Sequence, residues 1–184
     1  MGLRGRSILE GEHFFFVTTT VVNFNKVFTD DLFCDILIKN IKHYQKRYNF
    51  EVIAYCIMPS HFHWIVKTDS SRGTISSIMR DIKKFSAWDI MDQLKREASP
   101  LVQNFACAIE DGQKRRFWMP RFDDEVIRDQ KMLLTKIKYI HNNPVDAGIT
   151  DNAKDYKYSS ARNYTFDDQS ILYVEKSWAG IEII

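Results

Sequence analysis

Two histidines separated by one phenylalanine, His61-Phe62-His63, follow Pro59-Ser60 and open the apolar run Trp64-Ile65-Val66. On an extended chain alternate side chains share a face. The two imidazoles therefore point the same way, about 7 Å apart at the backbone, while Phe62 and Trp64 point the other way. Two imidazoles on one face of a rigid strand, backed by aromatics, can hold a divalent metal, but a metal site needs further ligands and a reaction needs a nucleophile or base. The later stretch Ile137-Lys-Tyr-Ile-His-Asn-Asn-Pro-Val145 offers both. Tyr139 and Asn143 stand one helical turn apart, so both can lie over one face. Tyr139 can supply a phenolic oxygen, and the amide oxygen of Asn143 can complete a metal shell. His141 falls about 200° around the same helix from Tyr139 and is read as structural.

A phenol with an ordinary pKa of about 10 is a poor nucleophile at neutral pH. It becomes useful against a phosphodiester when a metal withdraws charge from the phosphate. The product is then a covalent phosphotyrosine that preserves the energy of the broken bond. Such chemistry needs no nucleotide cofactor, and the sequence has no Gly-rich phosphate loop to hold one.

The elements that must position these residues follow from periodicity. The run HFFFVTTTVV, His13 to Val22, is aromatic and β-branched and predicts a strand. Thr29 is placed to cap a helix whose first turn carries Asp30 and Asp31, with Phe33, Ile36, Leu37, Ile41, Tyr44 and Tyr48 at helical spacing and Asn49 as its stop. Residues 50–58 and 61–68 predict two strands joined across Pro59-Ser60, a connection short enough to make them antiparallel. Thr74 opens a second amphipathic helix through Ile75, Ile78, Met79, Ile82 and Phe85, reaching toward Glu97. Residues 101–109 fit a strand or a short helix, and Asp111-Gly112 suggests a turn. Glu125 to Arg128 adds a strand. A helix from about Asp129 to Asn142, stopped by Pro144, carries the tyrosine, held to the body by Leu133, Ile137 and Ile140. The order fits an α+β fold: a ferredoxin-like βαββαβ antiparallel sheet with helices on one face, plus an additional C-terminal helix bearing Tyr139. One domain over 1–184 is expected, with 1–12 a basic arm and 150–184 a tail packed on the body.

Composition sets bounds without choosing a function. With 45% hydrophobic and 27% charged residues the chain reads as an ordinary globular protein. A formal net charge of +2 is too weak to argue nucleic-acid binding by itself, so such a claim must rest on local patches. Arg80, Lys83, Lys84, Lys114, Arg115 and Arg116 are the candidates, against the reading that they are a solvated surface. The cysteines Cys34, Cys56 and Cys107 are odd in number and form no CxxC pair, which fits reduced thiols. No apolar run approaches the roughly 20 residues of a membrane span and no signal-peptide core follows Met1, so a soluble cytoplasmic protein is expected.

His61-Phe62-His63 preceded by Met58-Pro59, together with YIHNNPVDAG at Tyr139 to Gly148, resembles the single-tyrosine HUH transposases, insertion-sequence-200-like enzymes, and among them the REP-associated tyrosine transposases. Ile82-Lys83-Lys84-Phe85, the stretch from Trp118 to Arg128 and Tyr158-Ser159-Ser160 share the likeness, which runs from the first strand to about residue 164. The resemblance implies His61 and His63 as metal ligands, Asn143 as a third, and Tyr139 as nucleophile. It implies cleavage and rejoining of single-stranded DNA at hairpin-bearing sequences through a 5′-phosphotyrosine, with magnesium or manganese, by a homodimer. Ser60 departs from the Asn frequent in the family, Met119 stands where Gln is frequent, and residues 91–116 look longer than in compact members. Two rival readings use the same residues: a non-catalytic RRM-like nucleic-acid-binding module that stacks bases on sheet aromatics, and a metal-dependent hydrolase with no covalent tyrosine. Taken singly, the histidines can also be structural, Tyr139 a core tyrosine and Asn143 a helix cap.

Overall fold

The computed structural model describes residues 13–105 and 116–179. Four strands and three long helices follow one another in the predicted order: β1 (His13–Thr20), α1 (Asp31–Tyr48), β2 (Glu51–Met58), β3 (His61–Thr68), α2 (Ile75–Arg96), β4 (Asp123–Ile127) and α3 (Gln130–Asp146), with a short α4 (Ala161–Phe166) in the tail. The sheet order is β2-β3-β1-β4 and every pairing is antiparallel. This is the ferredoxin-like arrangement, in which the β1-α1-β2 and β3-α2-β4 crossovers share a hand and put α1 and α2 on one face. α1 and α2 pack on each other, and α3 lies on the opposite face.

β3 is a central strand, and its alternation divides the site from the core. Phe62 and Trp64 are fully buried, and Trp64 meets Phe50 edge to face at 5.4 Å. The register sets Thr18 of β1 and Cys56 of β2 on either side of His63, and Thr20 and Met58 on either side of His61. Both histidines therefore stand on the face that α3 approaches.

Local details correct the expected boundaries at several points. Asp30, not Thr29, caps α1: its carboxylate accepts from the Leu32 amide at 2.9 Å, while the Thr29 hydroxyl turns back to the Lys26 carbonyl. Asn49 ends α1 in the left-handed region at φ 53°. Thr74 caps α2 in a reciprocal box with Ser77. Residues Pro100–Phe105 form a 3-10 turn, and the rest of the ambiguous stretch, with Asp111-Gly112, lies outside the described residues.

Pro144 does not stop α3, which continues to Asp146. A proline that near the end removes only the hydrogen bond to the Ile140 carbonyl. The Ala147 and Gly148 amides close the turn on the Asn143 and Val145 carbonyls, and Gly148 takes φ 67°. Among the described residues no helix is long and apolar enough to cross a membrane.

The tail covers the free edge of β2. The Ile57 amide donates to the Tyr158 carbonyl, the Ser160 amide to the Tyr55 carbonyl, and the Glu175 amide to the Val52 carbonyl. The Tyr156 and Tyr164 hydroxyls donate to the Ile57 and Ile53 carbonyls. An edge that would otherwise invite pairing with another chain is thereby satisfied.

The division of β3 is testable. Phe62→Ala should lower the unfolding free energy by about 3–5 kcal/mol, and His61→Ala on the other face by less than about 1 kcal/mol, both read from urea denaturation.

Candidate active site

The site is built from three elements: β3 supplies the histidines, β1 supports them, and α3 is laid across. His63 is 5% exposed, and its Nδ1 lies 2.7 Å from the Thr18 hydroxyl on the neighbouring strand. With Nδ1 engaged there, Nε2 is the nitrogen left to ligate. His61 has the same disposition, with Nδ1 3.3 Å from the Ser60 hydroxyl. The two rings are 4.7 Å apart, centroid to centroid, at 78°.

Burial pulls the His61 pKa down. His63 is brought down to about 3, first by burial and then by the proximity of His61 and of the Lys136 ammonium. At neutral pH His63 is thus a neutral imidazole, the form that binds a metal.

α3 brings Tyr139 onto this pair. Its ring meets His63 at 5.5 Å and 70°, and meets Phe16 of β1 at 5.9 Å and 78°. Phe16 in turn stacks on His63 at 5.8 Å and 14°. Tyr139 is nevertheless 47% exposed. The Tyr156 and Tyr164 hydroxyls, by contrast, are spent on backbone carbonyls, and that of Tyr158 on the Asp31 carbonyl and the Asp35 carboxylate.

Asn143, one turn along α3, donates its amide nitrogen to the Tyr139 carbonyl at 3.0 Å, so its oxygen is the atom left for a cation. His141 points elsewhere: its Nε2 is 2.8 Å from the Ser160 hydroxyl, and its ring packs on Tyr164. That contact ties α3 to the tail that edges β2.

The donors that stand together here are the two imidazoles, and the only hydrogen bond of the Asn143 side chain among the described residues is that to the Tyr139 carbonyl. Among the described residues no group of three His, Cys, Asp or Glu side chains converges to hold a metal. Imidazole nitrogens are poor ligands for Mg²⁺, which takes oxygen donors and gives up its water reluctantly, and are better tolerated by first-row transition ions.

Those of the predicted basic residues that are described do not join this site. Lys83 donates to the carbonyls of Met119, Pro120 and Arg121 at 2.7–3.4 Å, and burial brings its pKa down to about 8. It ties α2 to the approach of β4. Arg80 is engaged by Asp81 at 2.9 Å, in a cluster that also holds the Tyr48 hydroxyl. Lys84 lies over the exposed Trp88 ring at 4.7 Å, and it lines, with Arg116 and Lys95, a cleft of about 540 Å³ that contains neither histidine nor Tyr139. Lys114 and Arg115 lie outside the described residues. Trp118 is buried, donating to the Ser86 hydroxyl at 3.1 Å and stacked on Phe28. Cys34 and Cys56 are buried free thiols, and Cys107 is outside the described residues.

One neighbour escaped the sequence reading. Lys136, three residues before Tyr139, sits 4.5 Å over the Phe16 ring and 2.6 Å from the Glu125 carboxylate of β4. The signal available was its spacing, which puts it on the Tyr139 face of the helix.

Comparison with known proteins finds a family for this chain. Residues 13–143, which include both histidines, Tyr139 and Asn143, match the family described as "Transposase IS200 like". A Haemophilus influenzae protein named "Putative REP-associated tyrosine transposase" is 30% identical over 135 residues, 73% of this chain and 70% of that protein. The REP-associated tyrosine transposase of Escherichia coli K12 is 27% identical over 111 residues, 60% of this chain, which spans 54% of that relative. Among solved structures, a REP-associated tyrosine transposase bound to a REP hairpin shares the fold, with a TM-score of 0.66 at 22% identity over 96% of this chain and 93% of that one.

The depressed His63 pKa has a consequence for stability in metal-free buffer. The unfolded imidazole takes a proton near pH 6.5 and the folded one only near 3. This contribution is therefore fully present above pH 6.5 and is lost as pH falls toward 3, because the unfolded chain binds the proton first. Between pH 7 and 5 wild type should lose on the order of 1–2 kcal/mol relative to His63→Gln, measured by urea unfolding with chelator present.

Proposed function

Because the chain belongs to the IS200-like transposase family, with REP-associated tyrosine transposases as its matched relatives, we propose that it cleaves and rejoins single-stranded DNA through a covalent link to Tyr139. One observation carries this reading: within a single chain, a half-exposed tyrosine packs its ring on a buried, neutral histidine whose partner histidine stands beside it.

In the proposed step the Tyr139 oxygen attacks the scissile phosphorus and the 3′-oxygen leaves, giving a 5′-phosphotyrosine and a free 3′-hydroxyl. Rejoining is the same displacement in reverse by a DNA 3′-hydroxyl. His61, His63 and Asn143 would hold a divalent ion, manganese or magnesium, which supplies Lewis-acid polarisation of the phosphate. Thr18 and Ser60 fix the imidazoles so that Nε2 faces the site. Phe16 and His63 limit where the Tyr139 ring can go, which orients the nucleophile before substrate arrives.

The substrate we propose is hairpin-bearing DNA, supported by the REP hairpin bound to the structural relative. Lys84, beside the exposed Trp88, is a better candidate for holding its backbone than Lys83, whose ammonium is occupied by carbonyls. The chain would act as one catalytic domain in the cytoplasm. A second copy is not needed to bring Tyr139 to the histidines, so the homodimer implied by the resemblance would serve to hold two DNA ends. The base-stacking alternative is disfavoured by burial: Phe62, Trp64 and Trp118 are inside the protein, and Tyr139 and Lys136 lie against Phe16.

With Mn²⁺ and hairpin oligonucleotides carrying single-stranded flanks, a denaturing gel should show a covalent protein–DNA band. Chelator should remove it, and Mg²⁺ should support it less well than Mn²⁺. Tyr139→Phe should abolish it; an unchanged band in that variant would remove Tyr139 from the mechanism. Free 5′-phosphate ends produced by the variant would point instead to a hydrolase.

A further inference from the structure

We propose that Lys136 is a further catalytic residue of this site, whose ammonium binds a non-bridging oxygen of the scissile phosphate and is held ready for it by Glu125. The inference rests on the DNA-cleavage reading above and adds a group that the His-x-His and tyrosine-helix motifs do not contain.

Three observations lead to it. Lys136 precedes Tyr139 by three residues on α3, so the two side chains project from one face of the helix. Its Nζ lies 4.5 Å over Phe16, the ring that also contacts both Tyr139 and His63. Finally, its one ion-pair partner in the described structure, Glu125 of β4, is the more exposed of the two, at 53% against 25% for the Lys136 side chain. β4 is an edge strand, and its Glu125 pairs in register with Phe16. The ammonium is thus pinned at the rim of the site by a carboxylate that faces solvent.

The chemistry fits the position. As tyrosine attacks, a phosphodiester gathers negative charge on its non-bridging oxygens, and a preorganised cation beside them stabilises that charge more than it does the ground state. A lysine can do this as a compact point charge with three donors. One of them can stay on Glu125 while another meets the phosphate, so the carboxylate need not be expelled. The bond made is Tyr139 oxygen to phosphorus and the bond broken is phosphorus to the 3′-oxygen. The phenol proton leaves to solvent and the 3′-oxyanion takes one from solvent, while Lys136 keeps all of its protons.

The test uses the oligonucleotide that the full-length wild type cleaves, with the linked phosphate located from the adduct. It compares single-turnover adduct formation on the ordinary phosphodiester and on a neutral methylphosphonate at that position. Lys136→Met keeps the alkyl contact with Phe16 and removes the charge. It should slow the phosphodiester reaction by roughly 10²-fold, with oligonucleotide binding changed less than threefold. On the methylphosphonate, which has no anionic non-bridging oxygen to stabilise, it should match wild type within a few-fold. Lys136→Arg should recover most of the loss. Equal slowing of both substrates would make Lys136 structural and overturn the inference, as would Lys136→Met at wild-type speed on the phosphodiester. Absence of any adduct from wild type would overturn the cleavage reading itself, and this assignment with it.

Discussion

The structure depends on the two-residue period of one central strand. β3 is paired on both sides, so neither of its faces can slip without breaking two ladders. That constraint sends Phe62 and Trp64 into the core and fixes His61 and His63 on the opposite face with little freedom of position. The core side is fully buried, and the stability gained there holds imidazoles that would otherwise prefer water. A one-residue change of register would exchange the two sets, placing charge-competent rings inside and indoles outside.

Burial then sets the chemistry of the pair. His63 is kept neutral by its surroundings and oriented by Thr18, which are the two properties a ligating imidazole needs before any ion is present. Phe16 does two jobs in the same space, stacking on His63 and bracing the Tyr139 ring. The tyrosine helix approaches from outside the ferredoxin-like core, so the site lies between a rigid sheet and an added element. The tail secures this arrangement from the far side: it satisfies the β2 edge and reaches α3 through Ser160 and His141. Ser160 takes part in both contacts, since its hydroxyl also accepts from the Tyr55 amide.

Much of this was legible in the sequence because it rests on short-range periodicity. The strand and helix order, the common face of the histidines and the buried Trp64 follow from spacing alone. Boundaries set by competition between neighbours were less legible. Thr29 and Asp30 are both good caps, and the carboxylate wins because the threonine finds the Lys26 carbonyl. Pro144 reads as a stop, yet it falls where only one helical bond is lost. Tertiary context was hidden altogether. Lys83 looks like any lysine off an apolar stripe, and only the folded chain shows three carbonyls around its ammonium. Lys136 has a local hint in its spacing to Tyr139, but its partners Phe16 and Glu125 come from strands far away in the chain.

Whether the histidine pair and Tyr139 form one reaction centre can be read from peptide mapping of the protein–DNA adduct by mass spectrometry. The expected product is a nucleotide 5′-phosphate on the peptide containing Tyr139, formed only when His61 and His63 are both present. A phosphate on another tyrosine, such as the exposed Tyr173, or an adduct on Tyr139 that survives loss of both histidines, would contradict it.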